Sequence, residues 1–145
     1  MTTTHNYPRN GIWRIIPSAM LSELFARSGF DFQILDCEHG NYDYETLLTD
    51  ILACEANDSV PYIRVSGTDK VEVQRCLDIG ARGLVFPQLQ GYEDFLAAAA
   101  MMDYAPVGSR GFNPFVRAGN YGISGGTKAS PALRAWRRKV EYTPA

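Results

Sequence analysis

Residues 30–40 read FDFQILDCEHG. An apolar, strand-forming run stops abruptly at Asp36, Cys37, Glu38, His39 and Gly40. Three side chains able to hold or accept protons therefore sit where a buried strand ends. In α/β folds, ligands meet the carboxyl ends of parallel strands. The fold turns on whether the neighbouring segments repeat this pattern of strand, polar end and helix.

They do, on both sides. Upstream, Gly11–Ile16 (GIWRII) is a strand candidate. Pro17-Ser18 then opens a stretch with Met20, Leu21, Leu24 and Phe25 at helical spacing, which Gly29 stops. Downstream of the Phe32–Leu35 strand, Asp43 can cap a helix whose inner face is Leu47, Leu48, Ile51, Leu52 and Ala53. Val60–Val65 (VPYIRV) is the third strand, with Pro61 near its start, where a missing N–H matters least. Thr68 or Asp69 can cap a third helix carrying Val71, Val73, Cys76, Leu77 and Ile79, closed by Gly80. Gly83–Phe86 (GLVF) is the fourth strand, and Tyr92–Met102 the fourth helix. Strands alternating with helices favour a parallel sheet, because parallel neighbours need a crossover. The strands read as apolar on both faces, as buried parallel strands do. A flavodoxin-like open sheet and the first four units of a (β/α)₈ barrel fit this pattern equally well.

After Met102 the regularity fails. Asp103–Pro131 is glycine-rich, without a clear period, and too long for an ordinary connection. Ser130-Pro131 then resembles a cap and first-turn proline for a last helix, ALRAWRRKVEY. The organisation expected is a flexible N-terminus over 1–10, four βα units over 11–102, and a loop with a terminal helix over 103–145.

Composition excludes several classes. With 145 residues, 46% hydrophobic and 21% charged, the chain has the make-up of one globular domain. A net charge of −2 gives no case for a nucleic-acid surface. No apolar run approaches the ~18 residues of a membrane span, and the polar start MTTTHNYPRN lacks the apolar stretch of a secretory signal. Cys37, Cys54 and Cys76 are widely spaced and suggest neither a disulfide framework nor a CxxC metal clamp; reduced thiols in a cytoplasmic protein are expected. Cys37 lies in the polar cluster, but packing ranks above a nucleophilic role.

The strand ends collect polar groups: Asp36, Glu38 and His39 after strand two, Arg64 at strand three, Gln88 after strand four. One rim with an imidazole, two carboxylates, a guanidinium and an amide suits an anionic small molecule. The plainer reading pairs Arg64 with Asp36 or Glu38. Arg134, Arg137, Arg138 and Lys139 form either a phosphate patch or a solvated helix face. The GSRG turn, 108–111, is weak evidence for an anion cradle.

Four segments in order, GFDFQILDCEHG, VPYIRVSG, LDIGARGLVFPQLQ and YAPVGSRG, resemble the HpcH/HpaI family of metal-dependent 2-oxo acid aldolases. Those enzymes are (β/α)₈ barrels related to the citrate lyase β-subunit. The similarity runs from about Gly11 to Gly122. It implies a carbon–carbon lyase that yields pyruvate and an aldehyde through a metal-stabilised enolate. By resemblance, His39 is the acid/base residue, Asp36 orients it, and Arg64 holds the 2-oxo oxygen. Trp13 lines the pocket beside Gln88, Asp78 matches a position that reaches a neighbouring subunit's site, and Glu38 has a structural or hydrogen-bonding part. The family's Mg²⁺, Mn²⁺ or Co²⁺ ligands are a Glu and an Asp in later IET-like and GPxDL-like segments. Neither is present here, Glu141 is not assigned as a ligand, and a full barrel needs about 250 residues. The expectation is therefore a truncated or partial aldolase. A CoA-ester lyase of the citrate lyase kind and a non-catalytic half-barrel for assembly are the alternatives. A homo-oligomer is also implied, with no nucleic-acid or membrane partner.

Overall fold

The structure, a computed structural model, describes residues 10–123. The N-terminal residues expected to be flexible, up to residue 9, the expected terminal helix and the basic residues 134–139 lie outside the described residues. Four strands, β1 (Gly11–Arg14), β2 (Phe32–Asp36), β3 (Val60–Arg64) and β4 (Gly83–Val85), alternate with four helices. These are α1 (Ala19–Arg27), α2 (Tyr44–Ala56), α3 (Lys70–Asp78) and α4 (Tyr92–Met102). All strand pairs are parallel, in the order β1-β2-β3-β4.

That order chooses between the two folds the pattern allowed. A doubly wound sheet reverses strand order at a switch point and carries helices on both faces. Here each strand neighbours the next, and the helices cover a single face. The result is an arc of a (β/α) barrel, with its concave inner face opposite the helices.

Register sorts the side chains. Arg14, Leu35, Ile63 and Leu84 form one row across the sheet, and all four are buried beneath the helices. Leu35, Ile63, Val65 and Leu84 pack there with Leu47, Ile51, Val73, Cys76 and Leu77. Burying each Leu, Ile or Val stabilises by about 1.5–3 kcal/mol. The adjacent rows, Trp13–Ile34–Tyr62 and Asp36–Arg64–Val85, face the concave side. Of these only Asp36 is buried; Trp13 is exposed and the others are half-buried. The expectation of strands buried on both faces is thus corrected: helices cover one face, and nothing among the described residues covers the other.

Helix starts follow local chemistry. Ser18 Oγ accepts the Leu21 amide, and Asp69 rather than Thr68 caps α3 by accepting from Glu72 N at 2.8 Å. Asp43 accepts from the Glu45 and Thr46 amides while Thr46 Oγ1 accepts from Asp43 N, a complete capping box. Gly80 leaves α3 at φ +111°, a left-handed conformation that only glycine adopts cheaply.

The inner faces of the helices differ from the expected stripes. Met20, Leu24, Leu52 and Val71 are exposed, whereas Ser22, Asp50 and Cys54 are buried. The cause is a polar cluster beneath β1 and β2. The Arg14 guanidinium donates to Ser22 Oγ, to Gln33 Oε1 at 3.0 Å and to Asp50 Oδ2 at 3.2 Å. Nη2 also reaches the Ile16 and Ser18 carbonyls, Nε is buried with no hydrogen-bond partner among the described residues, and Tyr42 Oη donates to Asp50 at 3.0 Å. Helices α1 and α2 turn polar positions inward to satisfy this charge.

Between α4 and residue 123 the described chain is mostly irregular and includes a 3-10 turn over Arg117–Gly122. Arg117 reaches back to Glu55, which also holds Arg82 at 2.8 Å.

Candidate active site

The EHG stretch folds around Asp36. Its carboxylate is 1% exposed. Oδ1 accepts from the Glu38 amide at 3.0 Å, the His39 amide at 3.1 Å and Arg64 Nε at 2.8 Å. Oδ2 accepts from Trp13 Nε1 at 3.0 Å and Arg64 Nη2 at 2.5 Å. An Asp that accepts amides two and three residues on locks a tight turn. Gly40 closes that turn by donating to the Asp36 carbonyl at 3.1 Å. A Cβ at Gly40 would lie 2.1 Å from that same oxygen, so no other residue fits without a shift. The cluster at the strand end is therefore a turn built on a buried carboxylate.

Burial pushes the Asp36 pKa up, but the Arg64 hydrogen bond, with Trp13 and the two amides, more than reverses this. The carboxyl is held well below the usual carboxylate range and is ionised. Arg64, hydrogen-bonded to Asp36, is raised above its ordinary value and stays charged.

Arg64 sits over the Trp13 ring at 4.9 Å and pairs through Nη1 with Glu38 Oε2 at 2.9 Å. Both carboxylates named as plainer partners for Arg64 are therefore engaged. Glu38 Oε1 accepts from Gln88 Nε2 at 3.3 Å and lies 3.9 Å from His39 Nε2. Gln88 reaches it from a left-handed backbone, φ +55°, unusual for a residue with a side chain. The His39 side chain is 72% exposed. Trp13, Asp36, Glu38, His39, Arg64 and Gln88 thus share one mouth, drawn from β1, β2, β3 and the turn after β4.

One expected placement differs. Asp36 was expected to orient the imidazole of His39, but its oxygens take the His39 amide, and the imidazole faces Glu38 instead. Geometry dictates this: the carboxylate already accepts five hydrogen bonds and points toward β3. Asp78 lies at the C-terminal end of α3. Helices run back against their strands, so this is the end of the sheet remote from the mouth. There it accepts from Arg110 Nη2 at 2.6 Å, and Arg110 lies over the Tyr104 ring at 4.5 Å. The Asp78 side chain contributes nothing to this chain's own mouth. The arginine of the GSRG turn is buried, with Nη2 on Asp78 and with Nε and Nη1 lacking a hydrogen-bond partner among the described residues. Cys37 is packed against the core, and burial pushes its thiol up to about 12, the opposite of an activated nucleophile.

Sequence reasoning missed the Arg14–Asp50 cluster altogether. The available signal was a charged residue inside a four-residue strand and Gln33 in mid-strand, since buried polar groups require partners.

The described residues do not fit a divalent metal. Among them no three His, Cys, Asp or Glu side chains gather into a ligand set. Asp36 is saturated, and Glu38 is engaged by a cation already. What the mouth provides chemically is a fixed guanidinium facing solvent beside an exposed imidazole.

Comparison with known proteins gives this arrangement a setting. The family model for HpcH/HpaI aldolase/citrate lyase matches residues 9–134. A pyruvate aldolase from Rhizobium etli is 36% identical over 112 residues, 77% of this chain and 44% of the relative. A 4-hydroxy-2-oxo-heptane-1,7-dioate aldolase from Salmonella dublin is 35% identical over 104 residues, 72% of this chain and 40% of its own length. The crystal structure of a family protein from Burkholderia cenocepacia superposes with a TM-score of 0.78 at 29% identity, covering 92% of this chain and 52% of that one. The chain spans less than half the length of the two curated relatives. With four parallel βα units in barrel order and a match over most of its length, it belongs to the HpcH/HpaI aldolase/citrate lyase family.

Proposed function

We propose that the mouth around Arg64 binds a small 2-oxo acid and takes part in making or breaking a carbon–carbon bond next to its carbonyl. Pyruvate and an aldehyde would be the products in the cleavage direction. The observation that carries the reading is the Arg64 guanidinium. Asp36 fixes it from behind by two hydrogen bonds, Trp13 covers one face, and its side chain is 19% exposed at the mouth, in the same cluster as His39. Of the five guanidinium donors, two are committed to Asp36 and those on Nη1 face Glu38. An oxyanion developing at the 2-oxo oxygen gains from a charge already held in place, because nothing need reorganise as it forms. His39, exposed to the same mouth, exchanges the proton at the carbon beside the carbonyl or at the aldehyde oxygen, directly or through a water. Trp13 walls the pocket and Gln88 borders it. The metal implied by the family has no seat among the described residues, so no step is assigned to it. With the proposal go a cytoplasmic location and self-association.

A second reading has its own observation. The concave face is open, and β1 and β4 each pair on one side only among the described residues. Such a half-barrel can serve assembly without catalysis. One assay separates the two. The 145-residue chain is incubated with pyruvate in D₂O, with and without Mg²⁺ or Mn²⁺, and the methyl group is followed by NMR. The aldolase reading expects exchange that falls by about 10²–10³-fold in Arg64→Ala, the usual cost of losing an oxyanion donor. It also expects loss in His39→Ala. Exchange unaffected by either substitution, or none under any condition, favours the assembly module.

A further inference from the structure

The two carboxylates around Arg64 are not equivalent. Asp36 is buried and takes five donors: two from Arg64, one from Trp13 and two backbone amides. It cannot leave without unmaking the turn. Glu38 has no such anchorage. Its side chain is 12% exposed, pairs with Arg64 through one nitrogen at 2.9 Å, and holds Gln88 by one long hydrogen bond of 3.3 Å. Asp36, Glu38 and Arg64 together carry a net charge of −1. In this state the guanidinium is overcompensated, and an anion approaching it meets a carboxylate at the position it needs.

We propose that Glu38 is a displaceable counter-ion: it holds Arg64 Nη1 at 2.9 Å and must yield that nitrogen to the oxygen of an incoming 2-oxo acid. This inference rests on the proposed function and assigns Glu38 a positioning role rather than a catalytic one. The receiving partners are already in place. Gln88 Nε2 touches Glu38 Oε1, and His39 Nε2 lies 3.9 Å from the same oxygen. A swing away from Arg64 therefore leaves Glu38 beside an amide donor and an imidazole rather than stranded. The left-handed backbone at Gln88 keeps that amide at the mouth. The other charged group facing Glu38 is Asp36, on the far side of the guanidinium. The free chain thus gives up affinity for its ligand in return for a guanidinium that is never left with an unsatisfied arm.

The test is pyruvate binding to the 145-residue chain, measured by isothermal titration calorimetry for wild type, Glu38→Gln and Arg64→Ala. Glutamine keeps the shape and the contact with Gln88 but removes the competing charge. The expected result is a dissociation constant lowered roughly tenfold in Glu38→Gln, the scale of one like charge removed near the protein surface, and binding abolished in Arg64→Ala. A gain in affinity is a result that a merely structural role would not produce. Unchanged or weaker binding in Glu38→Gln, with Arg64-dependent binding in wild type, overturns this inference and leaves the proposed function standing. Binding in neither wild type nor Glu38→Gln overturns both. Circular dichroism of the variants confirms that a loss is not unfolding.

Discussion

Two arginine–aspartate pairs, one joining β1 to α2 and one joining β2 to β3, contrast in how they leave their guanidinium. Arg14 and Asp50 are enclosed beneath α1 and α2, with side chains 2% and 1% exposed. Their further partners are hydroxyls, an amide and backbone carbonyls that this chain supplies. Arg64 and Asp36 sit at the strand ends, with the aspartate buried and the arginine open to the mouth. The first pair is closed on itself and holds β1, α1 and α2 together. In the second, the aspartate holds an arginine whose outward side faces the mouth, where the proposed ligand would bind. Pairing alone does not separate structure from function; the direction in which the guanidinium is left open does.

Substitutions at these pairs should separate them further. The largest effect on stability is expected at Asp50→Ala. It strands a buried guanidinium, and removing one partner of a buried pair costs about 3–5 kcal/mol. Urea unfolding measures it; a cost no greater than that of an exposed site would show that the two pairs do not differ. Asp36→Asn comes next, with about 1–3 kcal/mol for its lost charge-assisted bonds.

That second cost has a pH signature. The folded pKa of Asp36 is depressed below its ordinary value of 3.8. Its contribution is therefore present above that value and is lost as the pH falls through the lower folded value. The stability difference between wild type and Asp36→Asn should be constant from pH 7 to about 5 and shrink below the ordinary carboxylate range. A difference that grows on acidification would contradict the assignment. The smallest stability effect is expected at His39→Ala, within about 0.5 kcal/mol because the side chain is largely exposed. The same variant should reduce deuterium exchange into pyruvate by about 10²–10⁴-fold, the range for loss of a general acid/base. Equal losses of stability and exchange would make His39 a structural residue.

The same contrast explains what could be read from the sequence. Caps and stops were legible at Asp43, Asp69 and Gly80, because each satisfies or relieves backbone groups within a few residues of itself. The polar mouth was legible because Asp36, Glu38 and His39 end one strand, Arg64 ends the next, and parallel strands bring such ends together. Partners distant in the chain were not legible. Nothing local at Arg14 announces Asp50, which lies 36 residues on. Hence the apolar stripe of α1 was placed on Met20 and Leu24, whereas the fold turns Ser22 inward to meet the arginine. The partner of Asp78 was hidden for a related reason. A likeness at one position carries no information about Arg110, which claims that carboxylate at the opposite end of the sheet. Gly40 shows the intermediate case: its place in the motif was visible, but its close approach to the Asp36 carbonyl emerges only in three dimensions.

The central claim is that Arg64 and His39 serve one ligand at one mouth while the buried arginines, Arg14 and Arg110, serve the fold. The most direct measurement is a pyruvate titration of the ¹⁵N-labelled chain, following arginine side-chain and histidine ring resonances by NMR. The account predicts that Arg64 and His39 shift together along one binding curve, and that Arg14 and Arg110 do not move. Shifts at Arg14 or Arg110 with Arg64 still, or an Arg64 response that leaves His39 unchanged, would contradict it.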